Sequence, residues 1–424
     1  MTELGDTAPT AAPIARGNVV WVGAATAVTA LCSYGVIYLA ARDLPPAGFS
    51  VFGVFWGALG MATGAANGLL QETTREVRAA RQTQVAADQS VRPVRIAGMI
   101  GVAACVMIAA SSPLWSRQVF SDERWLSVGL LSMGLAGFCV QSALLGALAG
   151  SSRFTHYGLL MMTDPIIRVA VAAAAVVTGW GLGGYLWAAA AGAAAWLVML
   201  AVSPTTRSAA RELTPGGVAG FLRGAAHSVA AAGASAILVM GFPVLLKATS
   251  QELGATGGVL ILAVTLTRAP LLIPLSAMQG NLIAHFVDER TERLRALIGP
   301  ALVIGALGAV GVLAAGFAGP WLLRIGFGPD YRASGALLAW LTAAAVAIAV
   351  LSLTGAGAVA AALHGAYLLG WLSATVASTL LLLLPVGLET RTIIALLLGP
   401  LVGIAIHLGA LARAPGRGSV AGSN

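Results

Sequence analysis

Long apolar stretches dominate this sequence. They are about 20 residues each and recur from one end of the chain to the other, so each could cross the roughly 30 Å hydrocarbon core of a bilayer as a helix. In hydrocarbon, only α-helices and closed barrels satisfy their own backbone hydrogen bonds. The alternation of facing residues that is typical of barrel strands is not found here. The sequence therefore predicts an all-α polytopic membrane protein.

The composition agrees with this prediction. Of 424 residues, 58% are hydrophobic and 9% are charged, and the mean hydropathy is +0.88. Soluble domains carry about 25% charged residues. A net charge of +8 would suggest nucleic acid in a soluble protein. Here the arginines lie mostly in short loops between apolar segments, so we expect no nucleic-acid partner.

Twelve helices are predicted from the apolar segments. Their approximate spans are 17–40, 48–70, 96–114, 126–149, 157–179, 184–203, 224–246, 256–282, 297–318, 334–358, 364–386 and 392–412. The corresponding domains are a tail (1–16), an N-terminal lobe (17–203), a linker (204–223), a C-terminal lobe (224–412) and a second tail (413–424). The longest polar segment, 71–95, is interpreted as a helical loop.

The distribution of basic residues predicts the orientation. With both termini on one side, that side holds fifteen of the 24 Arg and Lys residues and the other side holds seven. The positive-inside rule then places both termini in the cytoplasm of a bacterial inner membrane. The remaining two residues, Arg168 and Arg268, fall inside predicted spans.

The two halves of the chain resemble each other at an offset of 207 residues. Arg16-Gly17 then aligns with Arg223-Gly224, and residues 37–39 align with 244–246. A chance match between apolar segments is the alternative explanation. Six helices followed by six in the same orientation would form parallel repeats, the architecture that transporters use to build a central cavity.

Three patches resemble the polysaccharide-export flippases. Residues 36–52 (VIYLAARDLPPAGFSVF) are similar to that family's first-to-second-helix segment, and residues 68–75 (GLLQETTR) and 163–168 (TDPIIR) to actinobacterial members. The departures are Pro46-Ala47-Gly48, which replaces a commoner Pro-x-x-Tyr/Phe-Gly pattern, and a proline within the third patch.

The resemblance implies a place in the multidrug/oligosaccharidyl-lipid/polysaccharide (MOP) exporter superfamily, with two six-helix lobes around a central cavity, as in multidrug and toxin extrusion (MATE) transporters. It implies a lipid-linked oligosaccharide as substrate, flipped for cell-envelope polysaccharide biosynthesis. It also implies membrane lipids and polysaccharide polymerases or glycosyltransferases as partners. Neither the sugar nor the lipid carrier is specified.

Three charged residues inside predicted spans demand an explanation, because a charge near the bilayer centre costs about 2.5–3.5 kcal/mol on insertion scales. They are Asp164 and Arg168 in the fifth span and Arg268 in the eighth, which Pro270 and Pro274 follow. One hypothesis is that the two guanidinium groups bind the substrate phosphate. The alternative is local pairing, since Asp164 and Arg168 stand at i and i+4.

Asp164 is the only carboxylate deep in a span and is therefore the candidate for proton or sodium coupling. Polar residues near the same ends of the second and eighth spans are candidates to bind sugar hydroxyls at a cavity mouth. Ordinary interfacial side chains would look the same. These residues are Asn67, Gln71, Glu72, Gln279 and Asn281.

Enzyme signatures are missing from the sequence. The single lysine, Lys247, follows no Gly-rich loop, the five histidines have no HExxH spacing, and no Gly-x-Ser-x-Gly motif occurs. We therefore expect no catalytic residues, no metal and no cofactor. The hypotheses that remain are the flippase, a multidrug or small-cation antiporter of the same superfamily, and a membrane glycosyltransferase or polymerase. An antiporter predicts an acidic cavity, whereas a flippase predicts a basic one.

Overall fold

The computed structural model describes residues 16–83, 90–288 and 293–414, so most of the two predicted tails lies outside the described residues. The helices of the first half are α1 (Arg16–Asp43), α2 (Pro46–Thr83), α3 (Pro93–Val119), α4 (Arg124–Gly150), α5 (Phe154–Thr178), α6 (Gly181–Ala191), α7 (Ala195–Val202) and α8 (Pro204–Ala210). Those of the second half are α9 (Val218–Val239), α10 (Phe242–Ala248), α11 (Gly254–Asp288), α12 (Arg293–Ala296), α13 (Ile298–Phe327), α14 (Gly335–Ala360), α15 (His364–Leu381) and α16 (Leu388–Arg413).

The prediction of an all-α multi-pass membrane protein is confirmed. Within the described ranges, 11 stretches are long and apolar enough to span a bilayer, and α6 and α7 form one of them together. The remaining predicted helix, the eleventh (364–386), is α15, which has 18 residues and begins at His364. It is not among those 11 stretches, but it packs against α14 and α16 inside the bundle.

Several predicted boundaries differ from the structure: α2 ends at Thr83 rather than at 70, α13 ends at Phe327 rather than at 318, and both ends of the seventh helix differ. The seventh helix, α9, begins at Val218 rather than at 224, so the predicted linker is shorter and contains α8 and a strand. The same helix ends at Val239 instead of continuing to 246. The physical reason is Pro243, which lacks the N–H that would bond to the carbonyl of Val239. The chain turns at Gly241 and resumes as α10.

The two halves pack their helices in the same order. In the first half, which we call the N-lobe (α1–α7), α2 and α3 both pack on α4, and α1 packs on α5. In the second half, the C-lobe (α9–α16), α11 and α13 both pack on α14, and α9 packs on α15. This correspondence agrees with the parallel repeat that the offset alignment predicted.

The lobes meet along α2 and α9, where glycines recur every four residues of α2, at 60, 64 and 68. A Cβ atom added to Gly64 would lie 2.5 Å from the Cβ of Ala236, and one added to Gly68 would lie 2.5 Å from the Cα of Val229. Small residues at this spacing let two helix backbones approach closely. The repeat therefore serves packing, and the partner it serves is the other lobe.

We call the side of the bundle where α2 and α4 end the arginine-rich face, and the side where α1 ends the opposite face. At the opposite face, the hydroxyl of Tyr331 donates to the carbonyl of Leu44 (3.2 Å) and its ring lies edge-on to Phe49. At the arginine-rich face, strand β1 (Ser90–Val91) pairs antiparallel with strand β2 (Thr214–Pro215). Both faces thus carry contacts between distant parts of the chain.

The glycine contact between the lobes gives a test of this packing. We expect Gly68→Ala to lower the stability of the purified protein by about 1–3 kcal/mol, because the new methyl group would overlap the backbone of α9. The matched control is Gly129→Ala on α4, where an added Cβ meets nothing within 4 Å. Thermal unfolding in detergent measures both variants, and equal melting temperatures would contradict the close contact.

Candidate functional site

The charged residues of α5 form an ion pair. Nε of Arg168 donates to Oδ1 of Asp164 (2.5 Å), and the amide of Gln141 on α4 donates to Oδ2 (2.8 Å). The two charged side chains are only 13% and 14% exposed. The local pairing suggested by the i, i+4 spacing is therefore present, and both oxygens of the carboxylate have a partner.

Aromatic rings enclose the guanidinium of Arg168. Its central carbon lies 5.6 Å from the ring centroid of Trp56 and 5.0 Å from that of Phe138, within the range of cation–π attraction. Nη1 and Nη2 make no hydrogen bond to any described residue, and both keep some accessible surface. Arg168 thus uses one nitrogen for Asp164 and keeps the other two available.

Gly192 makes room for this pair. It lies in a short 3₁₀ turn (Gly192–Ala194) between α6 and α7, and a side chain there would overlap Asp164 and Arg168. The break in the sixth predicted span therefore lies directly against the charged pair.

Arg268 lies where the two lobes meet. Its side chain is buried, with 7% of the residue exposed. Nη1 donates to the carbonyl of Val239 (3.0 Å), the acceptor that Pro243 leaves free, and the guanidinium lies 5.3 Å from the ring centroid of Phe242. Nη2 is buried and has no partner among the described residues. Since a buried donor without a partner destabilises the fold, Nη2 is the candidate atom for contact with a ligand.

Helix α1 passes close to both arginine positions. Tyr34 lies near Arg268, and a Cβ on Gly35 would lie 3.4 Å from Val169, the neighbour of Arg168. The two guanidinium groups thus occupy a similar depth in the bundle. They have separate partners and do not contact each other.

The polar residues predicted at the cavity mouth divide into two groups. Asn67 and Gln71 are exposed on α2, and Asn67, three turns beyond Trp56, lies on the same face of that helix. Glu72 is instead buried (3% exposed), binds Arg75 through both oxygens, and lies against Gly224 at the start of α9. Glu72 therefore faces the lobe interface.

The corresponding residues of α11 are less constrained. Gln279 is exposed and lies three turns after Arg268, whereas the side chain of Asn281 is outside the described part of the structure. Among the described residues, no group of three or more His, Cys, Asp or Glu side chains is placed to hold a metal ion.

The α1–α11 side of the bundle is packed unevenly. Residues 257–264 of α11 are all buried near the opposite face. Toward the arginine-rich face, Leu31 of α1 is 75% exposed, and Pro270 and Pro274 of α11 are exposed. The two helices make only limited contact with each other, whereas α2 and α9 pack closely.

Two buried polar residues were missed at the sequence level. Gln141, which binds Asp164, stands out only as an amide within the apolar helix α4. His407 in α16 is fully buried; Nδ1 is 3.0 Å from the hydroxyl of Thr354, and Nε2 is 3.3 Å from the carbonyl of Tyr367. A polar residue in an otherwise apolar helix was the available signal in both cases.

No family model matches the sequence. Individual proteins of similar sequence are known, however. Rv1510, an uncharacterized protein of Mycobacterium tuberculosis, is 75% identical over 98% of this chain and 96% of its own length. Rv3630 from the same organism is 68% identical over 97% of this chain and 98% of its own length.

Solved structures share the fold at low sequence identity. One is the inward-facing conformation of a multidrug resistance MATE family transporter of the MOP superfamily, with TM-score 0.69, 15% identity, and coverage of 95% of this chain and 100% of that chain. Another is a MOP superfamily transporter from Pyrococcus furiosus, with TM-score 0.60, 13% identity, and coverage of 93% and 95%. The fold is therefore the one found in MOP transporters.

The charged pair of α5 can be tested through stability. We expect Asp164→Asn to destabilise the protein by about 3–5 kcal/mol, because it leaves the Arg168 charge without its counterion in a nearly buried site. The double variant Asp164→Leu with Arg168→Leu should recover most of that loss.

Thermal unfolding of both variants is compared with Asp122→Asn, which removes an exposed carboxylate between α3 and α4. A single variant as stable as that control would show that the pair is not a buried interaction.

Proposed function

Because this chain belongs to one family with the mycobacterial proteins Rv1510 and Rv3630 and has the fold of the MOP transporters, we propose that it is a transporter for a lipid-linked saccharide. It moves a polyprenyl-(pyro)phosphate-linked sugar from the cytoplasmic to the outer leaflet of the bacterial inner membrane. The arginine-rich face is then cytoplasmic, as are both termini. The product serves cell-envelope polysaccharide synthesis, with polymerases and glycosyltransferases as partners.

The observation that carries this proposal is the free nitrogen of Arg268. Nη2 is buried at the junction of the lobes without a partner, and a guanidinium stays protonated in proteins. A phosphate oxygen is the acceptor that matches this donor in charge and geometry. Because the site lies between the lobes, a ligand bound there touches both of them.

Arg168 adds a second cationic group at similar depth. Its carboxylate partner is already occupied by two donors, so the interior keeps unused guanidinium N–H groups but no unused carboxylate oxygen on Asp164. An anionic pyrophosphate matches this balance. Asn67 and Gln71, exposed nearer the arginine-rich face, are suited to hydrogen-bond the hydroxyls of the sugar.

The packing supports entry from the cytoplasm. At the opposite face, the hydroxyl of Tyr331 in the C-lobe donates to the carbonyl of Leu44 beside the N-lobe, while α1 and α11 have exposed side chains toward the arginine-rich face. In alternating access the two lobes rock about a fixed site. Pro270 and Pro274 provide positions where α11 can bend during that motion.

Asp164 is the coupling candidate within this scheme. Its carboxylate holds Arg168 in place, so protonation of Asp164 would weaken that bond and free the guanidinium for substrate. Uptake of a proton or a sodium ion at Asp164 would in this way be linked to release or capture of the anion.

The alternative function is a multidrug or small-cation antiporter, as the description of one MATE neighbour suggests. A cation substrate would have to displace Arg168 and Gln141 from the two oxygens of Asp164, whereas an anion can bind the unpaired guanidinium nitrogens directly. The Pyrococcus furiosus protein is described by a reverse polarity of its binding pocket, taken to suggest a different function. The fold therefore accommodates pockets of different polarity, and the charge balance here favours an anion. A membrane glycosyltransferase or polymerase is the weaker third hypothesis.

Depletion of the protein tests the substrate class. We expect a lipid-linked saccharide to accumulate on the cytoplasmic side of the membrane. Expression of Arg268→Leu should leave the protein inserted but reduce export about tenfold or more, since a charge-assisted hydrogen bond is lost. Arg268→Lys should keep part of the activity because the positive charge remains.

The control is Arg324→Leu, which removes an exposed arginine in the last turn of α13, at the opposite face. If no lipid-linked species accumulates on depletion, the flippase assignment fails. Full export by an inserted Arg268→Leu protein would remove Arg268 from the mechanism.

A further inference from the structure

A groove on the arginine-rich face lies apart from the site between the lobes. It has a volume of about 540 Å³ and lies between the start of α3 and the start of α9. The N-lobe contributes Arg92, Arg95 and Met99, and the C-lobe side contributes Leu213, Val218 and Leu222. The groove therefore has a cationic end and an apolar wall.

The cationic end has no acidic partner within the described ranges 16–83, 90–288 and 293–414. Arg92 and Arg95 are exposed and form no ion pair with any described residue. The carboxylate of Glu212, next to Leu213 in the chain, is already bound by Arg81 and Arg153. Arg92 also precedes Pro93, the first residue of α3, so the positive end of the helix dipole adds to the two side-chain charges.

The apolar wall consists of exposed side chains. Met99 is 66% exposed, and Leu213 and Val218 are 51% exposed each. The same face of α3 continues toward the membrane centre with Val102 and Val106, which are 62% and 60% exposed. An acyl chain can follow this surface from the groove into the hydrocarbon region.

We propose that the groove binds an anionic phospholipid of the leaflet at the arginine-rich face. The phosphate pairs with Arg92 and Arg95, and one acyl chain packs along Met99 and Val102. Two guanidinium groups that pair with no described carboxylate, placed where α3 enters the membrane, match a headgroup phosphate in charge and depth. Since the walls come from both lobes, the bound lipid bridges α3 and α9 beside the β1–β2 pair.

The test uses the full chain purified in detergent. Phosphatidylglycerol is titrated against phosphatidylcholine with the same acyl chains, and binding is followed by native mass spectrometry and by the melting temperature. We expect phosphatidylglycerol to be retained and to stabilise the protein more than phosphatidylcholine does. In Arg92→Gln with Arg95→Gln, the apparent affinity for phosphatidylglycerol should fall about tenfold or more.

A charge-matched control is Arg117→Gln with Arg324→Gln, which removes two exposed arginines at the opposite face and should bind the lipid like the original protein. Arg92→Lys with Arg95→Lys should keep most of the affinity, which separates loss of charge from misfolding. Glycerol 3-phosphate at equal concentration should not stabilise the protein, because it lacks the acyl chain. Equal binding of the two lipids, unchanged affinity in the Gln variant, or equal stabilisation by glycerol 3-phosphate would each overturn the proposal.

Discussion

In the hydrocarbon core every backbone carbonyl and every charge needs a partner, and this requirement organises the bundle. Pro165 in α5 frees the carbonyl of Met161, and the hydroxyl of Thr29 on α1 donates to it (3.2 Å). Pro243 similarly frees the carbonyl of Val239, which accepts from Arg268 on α11 (3.0 Å). Each proline thus creates an acceptor that a polar side chain of another helix satisfies. These bonds join α1 to α5 within one lobe and α9 to α11 within the other.

Each arginine has some guanidinium nitrogens with a hydrogen-bond partner and others without one. One nitrogen of Arg268 supports the end of α9, while Nη2 stays buried without a partner. In Arg168, Nε donates a hydrogen bond to Asp164, while the two terminal nitrogens have no hydrogen-bond partner among the described residues. For Arg268, a purely structural role would favour a partner for every buried donor, because unpaired buried donors destabilise a fold. The unpaired Nη2 of Arg268 therefore supports the proposed anionic ligand between the lobes.

The all-α class, the similarity of the two halves and the Asp164–Arg168 pair could be predicted from the sequence, because they depend on segment length and residue spacing. Sequence reasoning did not reach the break after Val239, although Pro243 was visible, because apolar residues continue across the break. It named no partner for Arg268 and overlooked Gln141, since both contacts come from helices distant in sequence. Glu72 is buried against Gly224 of α9, a contact that its position in the sequence does not give. Which face of α2 meets the other lobe is decided by tertiary packing.

The central claim is that, during transport, the lobes open a water-accessible, anion-attracting space beside Arg268 toward the arginine-rich face. The most direct test places a cysteine at Tyr34, the half-buried neighbour of Arg268, in a chain whose Cys32, Cys105 and Cys139 are replaced. Its reaction rate is measured with anionic and cationic thiol reagents of equal size, applied to each side of the membrane. The account predicts faster reaction with the anionic reagent, and only from the arginine-rich side. No reaction from that side, or faster reaction with the cationic reagent, would contradict it.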